Sequence, residues 1–258
     1  SNSILHSLQL NVEYFGLYSF ANVLVIYFEI IVEYGFELLG TRDVSINRNN
    51  INKLNDILIS ISIVRFFLFG VALAIFVLII VAIDKFRPYF LFYFLTFLRI
   101  VWQILCPVWF FQGIEKMYYI TIINIIPKIL FTLSIFLFVR SVNDYYLVPI
   151  LNSSGFIISG FFASFLVFKY FNIRIKLENK QLIKHYFKEG WRILISKIFV
   201  SFYVNMNVLL LGFFTNNTIL GYYSVADKII SAVTGLFGPA NQSIFPYMTK
   251  IYNVKGIN

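Results

Sequence analysis

The run Ile57–Ile83 reads ILISISIVRFFLFGVALAIFVLIIVAI, and Arg65 is its single ionisable residue. As a helix rising about 1.5 Å per residue, the run is roughly 40 Å long. That exceeds the ~30 Å hydrocarbon core of a bilayer, so the segment is long enough to cross a membrane with some tilt. Runs of the same character recur along the chain. Seven spans are expected, at about 15–38, 57–83, 89–111, 118–139, 145–170, 192–214 and 218–247. The last is long, and a break is expected at FGPANQ, where Gly238 and Pro239 withdraw helix support.

Composition agrees with that reading. Of 258 residues, 59% are hydrophobic, 20% aromatic and only 13% charged. The mean hydropathy is +0.79. Soluble domains carry about 25% charged residues and cannot conceal this much apolar surface. The expected fold class is all-α, a polytopic transmembrane helical bundle. The formal charge of +9 does not indicate nucleic acid, because most bases sit in the loops between apolar runs. Cys106 is the lone cysteine, and His6 and His185 share no ligand cluster. No disulfide, metal or cofactor is therefore expected. The chain starts SNSILHSLQL, without Met or signal segment, and ends VKGIN just after an apolar run, so both ends read as cut.

Loop charges alternate. One set holds Arg42, Arg48 and Lys53, then Lys116, then Lys169 through Lys188, then Lys250 and Lys255. The other holds Lys85 and Arg87, then Arg140, and no base in TNNT. The first set is assigned to the cytoplasm. The basic stretch NIRIKLENKQLIKHYFKEGWR (Asn172–Arg192) reads either as an amphipathic helix on the membrane surface or as a plain connector. It divides the chain into 1–171, five spans of an N-terminal lobe; 172–191, the connector; and 192–258, the start of a C-terminal lobe.

One phrase occurs twice, as FGLYSFANVL (Phe15–Leu24) and LGYYSVADKI (Leu220–Ile229). Setting Gly16 on Gly221 aligns Tyr18 with Tyr223, Ser19 with Ser224, Ala21 with Ala226 and Asn22 with Asp227. Residues this abundant match by chance often, but both copies also open a span from the same side. Six spans begin between them, an even number, so the copies read as parallel repeats related by an axis along the membrane normal. With six helices per repeat, the chain holds helices two to eight of about twelve.

Ionisable groups at bilayer depth are functional candidates by default. Arg65, Arg99, Lys128 and Lys228 lie roughly 12–15 Å from their helix ends. Against them stand Glu29, Glu33 and Asp227, and Glu29, Glu33 and Glu37 form a stripe at i, i+4, i+8. Depth matching predicts a Glu33–Arg65 ion pair and sets Glu29 level with Arg99 and Lys128. The expectation is a wet, net-positive central cavity lined by Arg99, Lys128, Lys228 and Arg65. For each base the competing reading is a structural pair or a snorkelling side chain, the stronger of the two for Arg65. Arg192 and Lys197 are expected to snorkel at an interface. A basic cavity suits an anionic, partly polar cargo such as a diphosphate joined to sugar and lipid. A cationic drug would ask for the opposite sign. A membrane polymerase needs a larger outer domain than DKFRP, RSVND or TNNT can build, and a scaffold or channel fits mid-membrane charges of both signs less well.

The phrase PVWFFQGIEKM (Pro107–Met117), with KEGWRILISK, NMNVLLLGFF, GYYSVADKI and PANQSIFPYM following in order, resembles the Wzx-type polysaccharide flippases. These belong to the multidrug, oligosaccharidyl-lipid and polysaccharide exporter superfamily. Residues 15–100 match more by pattern than by motif. The resemblance implies a MATE-like fold of two six-helix lobes and a monomeric transporter that is not an enzyme. It implies alternating access, with undecaprenyl-diphosphate-linked oligosaccharide moved across a bacterial inner membrane for O-antigen assembly. Its partners would be lipid-linked oligosaccharide, membrane lipids, and glycan polymerase and chain-length machinery, with no nucleic acid. The family motif turn falls on Trp109, Gln112, Gly113 and Glu115. Within this reading Asp227 couples transport to H+ or Na+, or else serves as a structural partner for a cation.

Overall fold

The computed structural model of the chain describes residues 12–171 and 180–234, and no strand occurs among them. The elements are α1 (Val12–Glu33), α2 (Phe36–Asn47), α3 (Ile51–Ala82), α4 (Phe90–Phe97), α5 (Val101–Leu105), α6 (Val108–Gly113), α7 (Met117–Phe138), α8 (Leu147–Phe171) and α9 (Lys180–Phe214). Residues 217–234 form a further helix, α10. Six helical stretches among the described residues are long and apolar enough to cross a membrane. α10 opens the expected seventh, whose second half, with FGPANQ, lies outside the described residues.

The chain is therefore a polytopic helical bundle, as its apolar runs require. Helix is the only open form that satisfies its own backbone polar groups in lipid. Large apolar side chains such as Phe66, Leu78, Phe138, Phe161 and Phe199 are exposed on its outside. The interior falls into two clusters. One gathers Phe20, Phe28, Phe76 and Phe97, and the other gathers Phe36, Trp109, Phe110 and Tyr186.

Several expected spans are interrupted. The first, read as 15–38, stops at Glu33, where Tyr34 (φ 52°) and Gly35 (φ 86°) both turn left-handed. Gly35 suits that turn because it has no Cβ, and a Cβ there would also strike Ile193 at 2.6 Å. The third span is three short helices. A 3₁₀ turn, Leu98–Ile100, separates α4 from α5, and Cys106–Pro107 separates α5 from α6.

Proline explains where two backbone carbonyls go. Pro107 has no N–H for Gln103 O, and Arg65 Nη1 donates to that carbonyl at 2.7 Å. Pro127, inside α7, leaves Ile123 O unpaired in the same way, and Ser159 Oγ supplies it at 2.5 Å. Ser153 and Ser164, also on α8, donate to Leu95 O and Leu105 O. Hydroxyls of this kind tie helices together where lipid offers no alternative partner.

The boundary drawn at residue 192 between connector and span falls inside one helix, because α9 runs from Lys180 to Phe214 without interruption. Its first turns do not lie free on a surface. Tyr186 is buried and donates to Asp43 Oδ2 at 3.0 Å, and Tyr34 OH donates to Phe187 O at 3.1 Å. Residues 172–179 of the expected connector lie outside the described residues.

Loops that the charge pattern assigned to one side meet each other. Arg48 pairs with Glu115 at 2.9 Å, at the same end as Tyr186 and Asp43. At the other end Lys85 Nζ donates to Gly212 O and Thr215 O, both at 2.6 Å. It thereby places a cation on the carbonyl end of α9.

Candidate functional site

Three helices enclose a polar cleft of about 440 Å³. α1 contributes Ser19, Asn22, Val23 and Ile26; α9 contributes Asn205 and Val208; α10 contributes Ser224, Asp227, Lys228, Ser231 and Ala232. On α1 and α10 the lining positions recur at i, i+3, i+4 and i+7, which puts them on one face of each helix. The walls are mainly hydroxyls, amides and small aliphatic groups, and no aromatic ring is among the described lining residues.

Arg99 stands behind this wall. The 3₁₀ turn at Leu98–Ile100 carries it toward α1, where Nε donates to Glu29 Oε1 at 2.7 Å. Its Nη1 donates to Asn22 Oδ1, also at 2.7 Å, and Asn22 Nδ2 donates to Tyr18 O at 2.8 Å. The guanidinium also lies 5.9 Å from the centre of the Phe156 ring. Side-chain exposure is 14% for Arg99 and 19% for Glu29, so the pair is largely desolvated. Asn22 is the link: it touches the arginine and lines the cleft.

The other sequence-derived candidates fall elsewhere. The Glu33–Arg65 pair is not formed. Once Gly35 turns the chain, the Glu33 carboxylate folds back onto the start of α2, accepting from Gly35 N at 3.0 Å and Glu37 N at 2.7 Å. Two freed N–H donors and the positive end of the α2 dipole favour an anion there. Lys197 completes the site at 2.8 Å from Glu33, so it is an ion-pair partner and not a snorkelling side chain. Glu37, on the far side of the turn, is exposed and 3.5 Å from the same ammonium. The stripe of three acids is thus divided by a bend.

Arg65 is buried over Phe36 and Trp109, 5.6 and 5.9 Å from their ring centres, and serves the carbonyls of Gln103 and Cys106. It holds the proline break of the third span and does not line the cleft. Lys128 lies exposed on α7 and is also absent from the cleft wall. Lys228 does line it, half-buried, with Nζ 6.0 Å from the centre of the Phe15 ring. Asp227 lines it too. Among the described residues the wall therefore carries one charge of each sign, where a net-positive lining was expected. Arg99 adds no excess, since Glu29 balances it.

The family motif turn is explained by packing. Trp109 is buried, Thr41 Oγ1 lies 3.2 Å from Trp109 O and 3.0 Å from the Gln112 side chain, and a Cβ on Gly113 would lie 2.6 Å from Val44. Glu115, at φ 62°, reaches Arg48. The motif clamps α6 against α2 at the basic-loop end. Missing from the sequence-derived site candidates were Ser19, Asn22, Asn205, Ser224 and Ser231, uncharged polar residues inside apolar runs. Their depth in those runs was the available signal. No group of three His, Cys, Asp or Glu side chains that could hold a metal occurs among the described residues.

Fold and cleft together define a multi-pass helical membrane protein with a polar recess between its helices. Residues 3–252 match the family model described as polysaccharide biosynthesis protein, and the chain belongs to that family. It is 24% identical over 251 residues to a protein of Escherichia coli (strain K12) provisionally named an O-antigen transporter. It is 27% identical over 244 residues to a protein of the same provisional name from Shigella dysenteriae. These matches cover 95% and 94% of this chain but 60% and 61% of the relatives, so the chain spans about three-fifths of their length. No solved structure gives a significant match.

Proposed function

We propose that this chain is part of a flippase that carries a lipid-linked oligosaccharide across a bacterial inner membrane, using the α1–α9–α10 cleft as its polar path. The observation that carries this is the lining: the amides of Asn22 and Asn205 and the hydroxyl of Ser231, with Ser19 and Ser224 packed behind them, set inside a bundle whose outside is apolar. A sugar presents hydroxyls that must exchange hydrogen bonds with water for hydrogen bonds with protein, and this wall supplies donors and acceptors of that kind. The lipid tail needs no such wall, because it can remain in the bilayer. Lys228, on the cleft wall, offers a cation to a diphosphate.

A multidrug cation antiporter of the same superfamily is separated from this reading by lining chemistry, since the sign of the net charge no longer distinguishes them. An apolar cation asks for aromatic faces and unbalanced acid, and the wall has neither among the described residues.

The test is restoration of surface glycan in a strain lacking its O-antigen flippase. The unmodified protein should restore it. Asn205→Leu with Ser231→Leu, present at normal level in the membrane, should reduce it severalfold. Full glycan in the double variant would remove the cleft from the pathway.

A further inference from the structure

The doubled phrase meets itself in space. A Cβ on Gly16 would lie 1.9 Å from Asn217 O and 2.7 Å from Gly221 N, and a Cβ on Gly221 would lie 2.1 Å from Val12 O. With Gly16 set on Gly221, Val12 is the counterpart of Asn217, so each contact is the image of the other. Reciprocal contact of this form marks a two-fold relation. The cleft repeats the pattern. Under the same alignment Ser19, Asn22, Val23 and Ile26 correspond to Ser224, Asp227, Lys228 and Ser231, and all eight line it. Directly below the glycines, Ser19 Oγ and Ser224 Oγ are buried without a hydrogen-bond partner, the residues being 7% and 2% exposed. Two matched hydroxyls left unpaired are costly in a finished interface.

We propose that Gly16 and Gly221 form a two-fold gate closing the cleft at the end away from the basic loops, and that Ser19 and Ser224 are the hydroxyls it uncovers to the passing glycan when α1 and α10 part. The proposal rests on the transport reading for its cargo, not for its motion. Backbone lies on backbone at the contact, so any side chain there acts on the closed state: no flexible group can yield. Bistability follows, because the closed form gains close helix packing while leaving two hydroxyls unsatisfied, and the open form reverses both terms.

The test uses cysteines at the matched serines. In the protein in membrane vesicles, Ser19→Cys with Ser224→Cys should cross-link with a short bifunctional thiol reagent, and each single variant should not. In cells, a reducible form of that cross-link should abolish surface glycan, and reduction should restore it. Separately, Gly16→Ala and Gly221→Ala should each raise labelling of Ser19→Cys by an impermeant thiol reagent by about tenfold, and by similar factors. Labelling needs no cargo, so it reports the gate even if the glycan reading fails. Absence of the cross-link, glycan export that persists through it, or labelling changed by one glycine variant alone would each overturn the proposal.

Discussion

Arg99 shows how one residue links stability to the cleft. Its guanidinium is held by Glu29 and Asn22 within a largely desolvated setting. Removing one partner of such a pair leaves an uncompensated charge and costs about 3–5 kcal/mol. Arg99→Gln should therefore lower the thermal midpoint of the purified protein markedly. Arg99→Met combined with Glu29→Gln should recover most of that loss, yet surface glycan should stay low if the cation serves the cargo. Arg65 is a contrasting case, in which a deep cation serves the backbone. Arg65→Leu strips Gln103 O of its donor, a loss of about 1–3 kcal/mol. Pro107→Ala in the same chain returns a backbone N–H to that carbonyl and should recover part of the loss, measured as a coupling in a double-mutant cycle. Asp227 belongs to this scale as well. It lines the cleft with no ion-pair partner among the described residues other than its sequence neighbour's charge. If it couples transport to an ion, Asp227→Asn should flatten the dependence of glycan export on external pH or sodium, and an unchanged dependence ends that idea.

Helices were legible where hydrophobicity alone decides them, and their interruptions were not. The second span was read as 57–83 and runs from Ile51 to Ala82. Its start is set by Asn50, whose side chain accepts from Lys53 N, a polar cap that an apolar count passes over. The bend at Tyr34–Gly35 and the tight turn at Leu98–Ile100 lie inside apolar sequence with no proline to announce them. Both are decided by neighbouring helices. The continuity of α9 across residue 192 has the opposite cause: Lys, Glu, Gln and Leu are good helix formers, so a change from charged to apolar side chains need not interrupt the backbone. Depth placed Glu29 level with Arg99 correctly but paired Glu33 with the wrong base, because depth along a helix says nothing of azimuth once a bend intervenes. Glu33 now reads as the anchor of that bend. Glu33→Gln keeps only one of the two N–H contacts, since an amide has a single oxygen, and removes the charge facing Lys197. Its stability should fall less than that of Glu33→Leu, which loses both, in thermal unfolding of the two variants.

At the level of the whole molecule, a bundle with an apolar outside encloses a recess lined largely by hydroxyls and amides, where Lys228 is matched by Asp227 and Arg99 by Glu29. Net positive charge was the expected mark of an anionic cargo. What the fold offers is hydrogen-bonding capacity, with Lys228 and Arg99 near it. On the proposed flippase reading that arrangement would suit a long polar glycan, since a strongly charged wall would hold a diphosphate too tightly to release it. The decisive measurement is leaflet position of a lipid-linked oligosaccharide in vesicles carrying the purified full-length protein. The account predicts protein-dependent transfer of the glycan to the opposite leaflet, lost on Asn205→Leu with Ser231→Leu. Transfer at the rate of protein-free vesicles, or transfer undiminished by the double variant, would contradict it.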